Sequence, residues 1–176
     1  MAIKRYAASA DTTITNAYKQ DLSTRGTGSN MGAADVLEVF SIYGQASASS
    51  GLSQELSRVL LKFPVSDISA DRTAGTIPVS GNVSFYLRLF NAEHSETIPR
   101  NFALTAAAVT KDWEEGTGLD MVEYRDETFG GTGANWTNYS ANNAWATPGG
   151  DYYTDSASVF HKSFSTGIED LEVDIS

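Results

Sequence analysis

Apolar and polar residues alternate along much of this chain with a period of two, and that alternation constrains the fold most strongly. In the stretch GNVSFYLRLFNA, four apolar residues fall on one side: Val83, Phe85, Leu87 and Leu89. Ser84, Tyr86 and Arg88 lie between them. The stretch EDLEVDIS repeats the pattern with Leu171, Val173 and Ile175. Both stretches predict strands that pack one face against a core.

Three further stretches predict strands of other kinds. ADVLEVFSIYG and SRVLLKFPV carry consecutive apolar and β-branched residues, which is typical of strands covered on both faces. Pro64 is expected to end the second of them, because proline cannot donate a hydrogen bond to a sheet. FALTAAAVTKDW contains an alanine run that favours a helix, but its flanking Thr and Val residues favour a strand. We predict a strand there.

One segment leaves helix and strand open. In GLSQELSRVLLKF, four apolar residues stand at helical spacing after the candidate cap Ser53: Leu52, Leu56, Val59 and Leu60. A strand that begins near Leu56 explains the stop at Pro64 equally well. Periodicity alone does not decide between them.

The connections between these segments are rich in Gly, Asn, Ser and Thr. Many short strands joined by such turns predict an all-β fold, a jelly-roll-like antiparallel β-sandwich. The chain length suits a single domain spanning residues 1–176, with an N-terminal arm at about 1–10. A long loop at about 111–155 is rich in aromatic residues, Gly and Asn. Structureless loops longer than about 15 residues are uncommon and often functional.

Composition excludes several classes of function. The 12 basic and 22 acidic residues give a formal charge of −10, which disfavours binding to nucleic acid or to an anionic membrane. The chain has no cysteine, which removes disulfides, thiolate catalysis and cysteine-based zinc sites. The first residues lack the apolar run of a secretory signal, so we expect synthesis in a cytoplasm.

Several segments, taken in order, resemble DNRLRE-type β-sandwich domains, which are similar to carbohydrate-binding modules. These segments are DTTI, GTGSNMGAADVLEV, SRVLLKFPVSDI, VSFYLRLFNA and VTKDWEE. The matching positions are Asn30, Gly32, Leu37, Val39, Arg58, Leu61, Phe63, Ile68, Leu87, Leu89, Trp113 and Glu114. The resemblance implies a β-sandwich and names no site. Members of that family continue beyond the strand that LEVDIS matches, so it also implies C-terminal strands that are missing here or supplied by a partner.

The composition is also similar to that of structural proteins of tailed bacteriophages, which are acidic, cysteine-free and made without a signal. DNRLRE-type domains are typically secreted, so the phage likeness accounts better for the missing signal. It implies location in a virion, with phage capsid or tail proteins as partners and multiple copies in a symmetric assembly. Three glycosylation-type triplets begin at Asn82, Asn135 and Asn138, and we regard them as incidental.

The sequence offers no catalytic motif. His94 and His161 stand outside any recognisable pattern, and no G-x-S-x-G, P-loop or H-E-x-x-H is present. We therefore predict that the chain is not an enzyme. Acidic residues cluster in DWEEGTGLD and EYRDE without distinctive spacing, which indicates a solvated loop. A calcium site is the alternative, since hard oxygen ligands suit that ion, and its candidates are Asp112, Glu114 and Asp120.

The aromatic residues of the long loop are the main candidates for contact. Trp113 ends a predicted strand and is expected to face inwards. For Trp136 and Trp145, in GANWTNYSANNAWATPGGDYY, either plugging the end of a core or touching a partner fits the sequence. If there is an outward contact, we assign it to five residues: Trp136, Tyr139, Trp145, Tyr152 and Tyr153.

These observations together predict a non-enzymatic virion protein. It would decorate or cement a phage head or tail through its loop aromatics and an N-terminal arm that includes Lys4, Arg5 and Tyr6. No cofactor, nucleic acid or membrane is expected. The alternative is a carbohydrate-binding module, in which Trp136, Tyr139 and Trp145 stack on sugar rings.

Overall fold

A computed structural model describes residues 3–43, 54–79, 81–93, 100–119 and 133–176. Its elements are β1 (Ala10–Thr15), β2 (Ser41–Ile42), β3 (Glu55–Lys62), α1 (Val65–Thr73), β4 (Tyr86–Leu89), β5 (Phe102–Ala107), β6 (Asn138–Ser140), β7 (Asn143–Ala144), β8 (Val159–Phe164) and β9 (Leu171–Asp174). Every strand pair is antiparallel. The predicted all-β fold class is therefore confirmed. Among the residues described, no helix is both long and apolar enough to cross a membrane.

The chain divides into two compact units. Unit 1 contains Met1–Lys4, Val65–Thr110 and Tyr152–Ser176, and unit 2 contains Arg5–Pro64 and Lys111–Asp151. Each unit is built from segments that are distant in the sequence. The single domain expected from the chain length, and its jelly-roll topology, stay predictions.

Unit 2 is built on a sheet with the strand order β1-β3-β2. Strand β1 pairs with β3 along its whole length, from Ala10 opposite Lys62 to Thr15 opposite Ser57. The buried residues of this sheet are largely polar: Thr12, Thr13, Thr15, Glu55 and Ser57. Buried polar groups need partners, so the interior of unit 2 depends on specific hydrogen bonds rather than on aliphatic packing alone.

Unit 1 consists of two antiparallel ribbons, β4–β9 and β5–β8, that share one apolar core. Phe164, Leu171 and Val173 form its buried centre, and further apolar residues from all four strands pack against them. The rings of Phe102 and Phe164 stack with their centroids 4.8 Å apart. The one-sided strand predicted at residues 83–89 is confirmed over Tyr86–Leu89, and the one predicted at 171–175 is confirmed over Leu171–Asp174. The apolar residues that line this core from the two segments are Leu87, Leu89, Leu171, Val173 and Ile175.

The helix α1 was not predicted from the sequence. No helix was assigned after the expected strand end at Pro64, and residues 69–73 were expected to form part of a turn-rich connection. None of its residues is buried, so it lacks the apolar stripe that reveals most helices. Helix signals are nevertheless present: Asp67 lies in the first turn, Arg72 in the last, and Gly75 follows with a φ of 72°.

The other strand predictions had different outcomes. Strand β3 settles the open choice for Glu55–Lys62 in favour of a strand, and β5 confirms the strand predicted in the alanine-rich stretch. The long strand predicted at residues 34–44 is mostly wrong, since only Ser41–Ile42 forms a ladder. Side chains explain the difference. The amides of Glu38 and Phe40 donate to the hydroxyls of Thr13 and Ser57 instead of to a neighbouring strand.

A single carboxylate organises the connection between β8 and β9. Glu169 accepts hydrogen bonds from the amides of Ser165, Thr166 and Gly167 and from the Ser165 hydroxyl. The backbone hydrogen bond from Thr166 is the largest of the effects that hold the pKa of Glu169 well below its ordinary value. The turn therefore favours the ionised carboxylate over the protonated one.

Replacing Glu169 with Gln should remove a pH-dependent part of the stability. A depressed native pKa stabilises the fold fully above the unfolded-state pKa, near 4.5, and this stability is lost as the pH falls through the native value. Urea unfolding between pH 7 and pH 3 should show a higher unfolding free energy for wild type than for Glu169→Gln at pH 7. This gap in unfolding free energy should close below about pH 4.5. Glu172→Gln, at an exposed side chain, is the control and should show a smaller gap. A gap for Glu169→Gln that stays constant with pH would contradict this account.

Candidate functional site

The three tryptophans lie in the interior of unit 2. Their exposed fractions are 3% for Trp113, 8% for Trp136 and 4% for Trp145. The inward orientation expected of Trp113 is therefore found. Of the two interpretations left open for Trp136 and Trp145, their burial favours a plug at the end of a core over an outward contact. The reason lies in the hydrogen bonds that fold the loop back on itself.

The side chain of Asn30 is the centre of this arrangement. Its amide nitrogen donates to the carbonyl oxygens of Glu115 (2.7 Å) and Ala134 (2.8 Å). Its oxygen accepts from the amides of Gly32 (3.2 Å) and Gly118 (2.8 Å). The side chain is fully buried, so one residue satisfies backbone groups from three separate segments. In a β-sheet, hydrogen bonds between paired strands satisfy such backbone groups.

Three glycines allow the backbone to approach Asn30 closely. A Cβ atom at Gly118 would lie 1.9 Å from the Asn30 carbonyl oxygen, and one at Gly32 would lie 2.1 Å from the Glu115 carbonyl oxygen. A Cβ at Gly133 would meet the Asn30 amide nitrogen at 2.5 Å. No side chain fits at these positions without a backbone shift. Asn30 and Gly32, which carry part of the resemblance described above, are therefore structural residues here.

Trp136 is held between the backbone and a cation. Its amide donates to Thr27 and its carbonyl accepts from Gly149. The Arg58 guanidinium lies 5.2 Å from the indole centroid and also donates to the Gly149 carbonyl. Gly149 has a φ of 93°, and a Cβ there would lie 2.8 Å from the indole. The indole face that a sugar would need is thus already in use.

Trp145 and Tyr139 pack together beside a turn formed by Asn135. The Trp145 indole nitrogen donates to the Asn135 carbonyl at 2.9 Å, and the two rings lie 5.6 Å apart. The Asn135 side chain accepts from the amides of Thr137 and Asn138. Tyr139 is half-buried. The Asn135 side chain therefore stabilises the backbone of its own loop.

The other predicted contact residues lie apart from these. Tyr152 and Tyr153 belong to unit 1 and are 43% and 51% exposed. Of the N-terminal arm, Lys4 forms an ion pair with Asp71 of α1 at 3.1 Å, while Arg5 is exposed and Tyr6 is half-buried. Exposed ion pairs contribute little. The structure thus brings Trp136, Tyr139 and Trp145 into one unit and places Tyr152 and Tyr153 in the other.

The calcium candidates are not arranged around a common point. Asp112 binds the Lys62 ammonium at 2.7 Å, which occupies that carboxylate with a protein cation. Glu114 accepts from the Ala141 amide at 3.2 Å. Asp120 lies outside the residues that the structure describes. In the described ranges, no three acidic or histidine side chains are grouped so as to hold a metal ion.

Comparison of the chain with protein-family models, with curated proteins and with solved structures found no match. Function must therefore be inferred from the geometry.

Three exposed aromatic residues were missed as contact candidates: Tyr43 in unit 2, which is 70% exposed, and two residues of unit 1. Tyr86 is 58% exposed and Phe90 is 74% exposed, both along or just after β4 in unit 1. The sequence did contain a signal: the outward side of this alternating strand carries Tyr86, Arg88 and Phe90, where a solvated strand face carries mainly polar residues.

Asn30→Asp should destabilise the protein strongly although the side chain keeps its shape. At neutral pH the buried carboxyl either faces two carbonyl oxygens as an anion or takes up a proton and donates to only one. Each buried group left without a partner costs about 1–3 kcal/mol. We expect urea unfolding to show a loss of at least about 2 kcal/mol.

The matched control is Asn143→Asp. Asn143 also donates from its amide to two acceptors, Ser140 and Ala141, but it is exposed. The unfolding free energy of Asn143→Asp should fall by no more than about 0.5 kcal/mol. Equal losses for the two variants would contradict the central role of Asn30.

Gly149→Ala tests how closely Trp136 is enclosed. The left-handed backbone alone costs a non-glycine residue about 1–2 kcal/mol, and the contact with the indole should add about 1–3 kcal/mol. Gly81→Ala isolates the backbone part, because Gly81 has a φ of 92° and nothing within 4 Å of an added Cβ. Unfolding free energies should rank Gly149→Ala well below Gly81→Ala. Similar values would mean that Trp136 is loosely packed.

Proposed function

We propose that this chain is a non-enzymatic structural protein that decorates or cements the head or tail of a tailed bacteriophage. The observation that carries the proposal is the exposure of aromatic side chains on unit 1 while every tryptophan is buried in unit 2. These exposed residues are Tyr86, Phe90, Tyr152 and Tyr153. Tyrosine and phenylalanine supply large, rigid contact area and are enriched where proteins bind each other.

The use of the polar side chains supports a structural role. Three carboxylates accept hydrogen bonds from backbone amides, one from a distant strand and two within their own loops. Glu115 accepts from the Asp11 amide, Asp151 accepts from the amides of Ala146 and Thr147, and Glu169 holds the β8–β9 turn. His161 shares a 3.1 Å hydrogen bond with the exposed Thr105 hydroxyl. His94 lies outside the described residues.

The charge of the chain indicates what kind of partner it suits. A formal charge of −10 on 176 residues repels phosphate backbones and anionic lipid, and it favours docking on a basic protein surface. Capsid or tail proteins that present such a surface in many symmetric copies are the partners that we propose.

The sugar-binding alternative depended on Trp136, Tyr139 and Trp145 as a stacking face. Two of these side chains are buried and the third is half-buried against Trp145. The exposed Tyr152 and Tyr153 suit a protein contact at least as well as a glycan. We therefore favour protein binding, and a glycan array probed with the purified protein distinguishes the two: specific retention of any glycan would favour the alternative.

The direct test is mass spectrometry of purified phage particles from the source of this gene. The proposal expects the protein in the particles, in a fixed ratio to the major head or tail protein. Its absence from the particles would overturn the proposal.

A paired substitution tests the contact surface. Tyr152→Ala together with Tyr153→Ala should lower the copies bound per particle at least about tenfold at subsaturating protein, the effect of losing about 1.4 kcal/mol. Tyr43→Ala is the control, because Tyr43 is an aromatic residue of unit 2 that is even more exposed, at 70%. Equal incorporation of wild type and the paired variant would exclude this surface as the contact.

A further inference from the structure

Strand β4 has one edge that no described strand covers. Its partner β9 lies on the other edge, where the Ile175 amide donates to the Phe85 carbonyl at 2.9 Å. Hydrogen-bonded residues alternate along an antiparallel strand, so Leu87 and Leu89 also face β9. The N–H and C=O groups of Tyr86, Arg88 and Phe90 therefore point to the opposite edge. Within the described residues, the β4–β9 sheet has only these two strands.

This edge lacks the features that protect strands from pairing. Natural edges are blocked by proline, bulges or several charges, whereas the stretch SFYLRLFN contains no proline or glycine and one charge. Tyr86 and Phe90 are largely exposed beside it. The one charge, on Arg88, lies 5.1 Å from the Phe90 ring and 3.8 Å from the Glu172 carboxylate. An edge that is partly aromatic and that no strand in the described ranges covers is suited to accept another strand.

We propose that a second copy of this chain adds its own β4 to this edge. The two strands run antiparallel about a two-fold axis at Leu87 and join two β4–β9 ribbons into one four-stranded sheet. The same surface on both copies forms the contact, as in most symmetric dimers.

The register follows from backbone direction and charge. Because Tyr86 and Arg88 both point to the open edge, the residues at even positions must face each other. A two-fold axis at Leu87 sets Arg88 opposite Tyr86 of the second copy, which places a guanidinium beside an aromatic ring twice. An axis at Arg88 would instead oppose two arginines. An axis at Leu89 would set Arg88 opposite Phe90, which lies beyond the end of β4. The axis at Leu87 keeps the facing pair inside the strand, so we choose that register.

Charge also favours β4 over the other edge of the same ribbon. A copy that paired through β9 would bring Glu172 and Asp174 against the same acidic residues. In a chain with a net charge of −10, the β4 edge is a place where two copies meet without opposing carboxylates. A second copy of the chain is therefore the partner that we propose for the β4 edge.

The inference goes beyond the proposed function and fails separately from it. A dimer formed by a protein that is absent from phage particles would keep this proposal and overturn the other. A monomer found in particles would do the reverse.

Sedimentation velocity of the whole chain over a concentration series tests the dimer, and a charge exchange at Tyr86 tests the register. Tyr86→Lys would oppose Arg88 of the second copy and should raise the dimer dissociation constant at least about tenfold. Tyr86→Glu would oppose the same arginine with a carboxylate and should lower the constant several-fold. Within one chain Tyr86 lies opposite Asp174. Tyr86→Lys should therefore strengthen the β4–β9 pairing and Tyr86→Glu should weaken it, the reverse of their effects on the dimer.

A proline pair tests the edge. Arg88→Pro removes an N–H from the open edge and should leave the chain monomeric. Glu172→Pro is the matched control on β9: its N–H points away from β4 by the same alternation, so dimers should persist. Circular dichroism verifies folding, and the Tyr86 variants decide the matter if a proline variant does not fold.

A monomeric wild type at every concentration would overturn the proposal. So would a dimer whose dissociation constant is the same in Tyr86→Lys and Tyr86→Glu. Dimers that survive Arg88→Pro with the fold intact would exclude the β4 edge.

Discussion

The side chain of Asn30 is the constraint on which unit 2 depends. It satisfies the carbonyls of Glu115 and Ala134 and the amides of Gly32 and Gly118, all inside the protein. The residues that it joins lie up to 104 positions away in the sequence. Glycines at the contact points let the backbone come close enough. A buried polar group without partners is costly. This set of hydrogen bonds therefore fixes the start of the aromatic loop, the stretch at residues 133–153, in one position.

The position of that loop explains why its tryptophans are interior residues. Once Ala134 is held, Trp136 lies against Thr27 and Gly149, and cations from β3 complete the enclosure. Arg58 lies 5.2 Å from the Trp136 ring and Lys62 lies 5.1 Å from the Trp113 ring. The buried residues of unit 2 thus combine indoles and hydroxyl side chains with several aliphatic ones, and cations of β3 lie over two of the indoles. The core of unit 1 is aliphatic and phenyl. Four of the five exposed Tyr and Phe side chains in the described part of the chain belong to unit 1, and the fifth, Tyr43, belongs to unit 2.

Sequence patterns predicted those parts of the fold in which side chains alternate. Strands β4 and β9 followed from local periodicity, because a half-buried strand repeats every two residues. Strand β5 was predicted from its flanking Thr and Val residues, and periodicity left β3 open between helix and strand. The helix α1 was not predicted because none of its residues is buried, so its sequence carries no apolar stripe. The orientation of Trp136 and Trp145 could not be read either, since Trp beside Asn and Thr has the same composition in a sugar site and in a folded loop. The position of these indoles depends on the hydrogen bond from Asn30 to the Ala134 carbonyl. Ala134 lies 104 residues further along the chain, too far for any local pattern to reveal.

The burial of all three tryptophans can be tested on the unmodified protein by iodide quenching of tryptophan fluorescence. Trp113, Trp136 and Trp145 are the only indoles in the chain, and each is less than a tenth exposed. Native protein should therefore emit at shorter wavelength than protein in urea and should be quenched far less by iodide. Native emission that matches the unfolded chain in wavelength and quenching would contradict the interior placement of the aromatic loop.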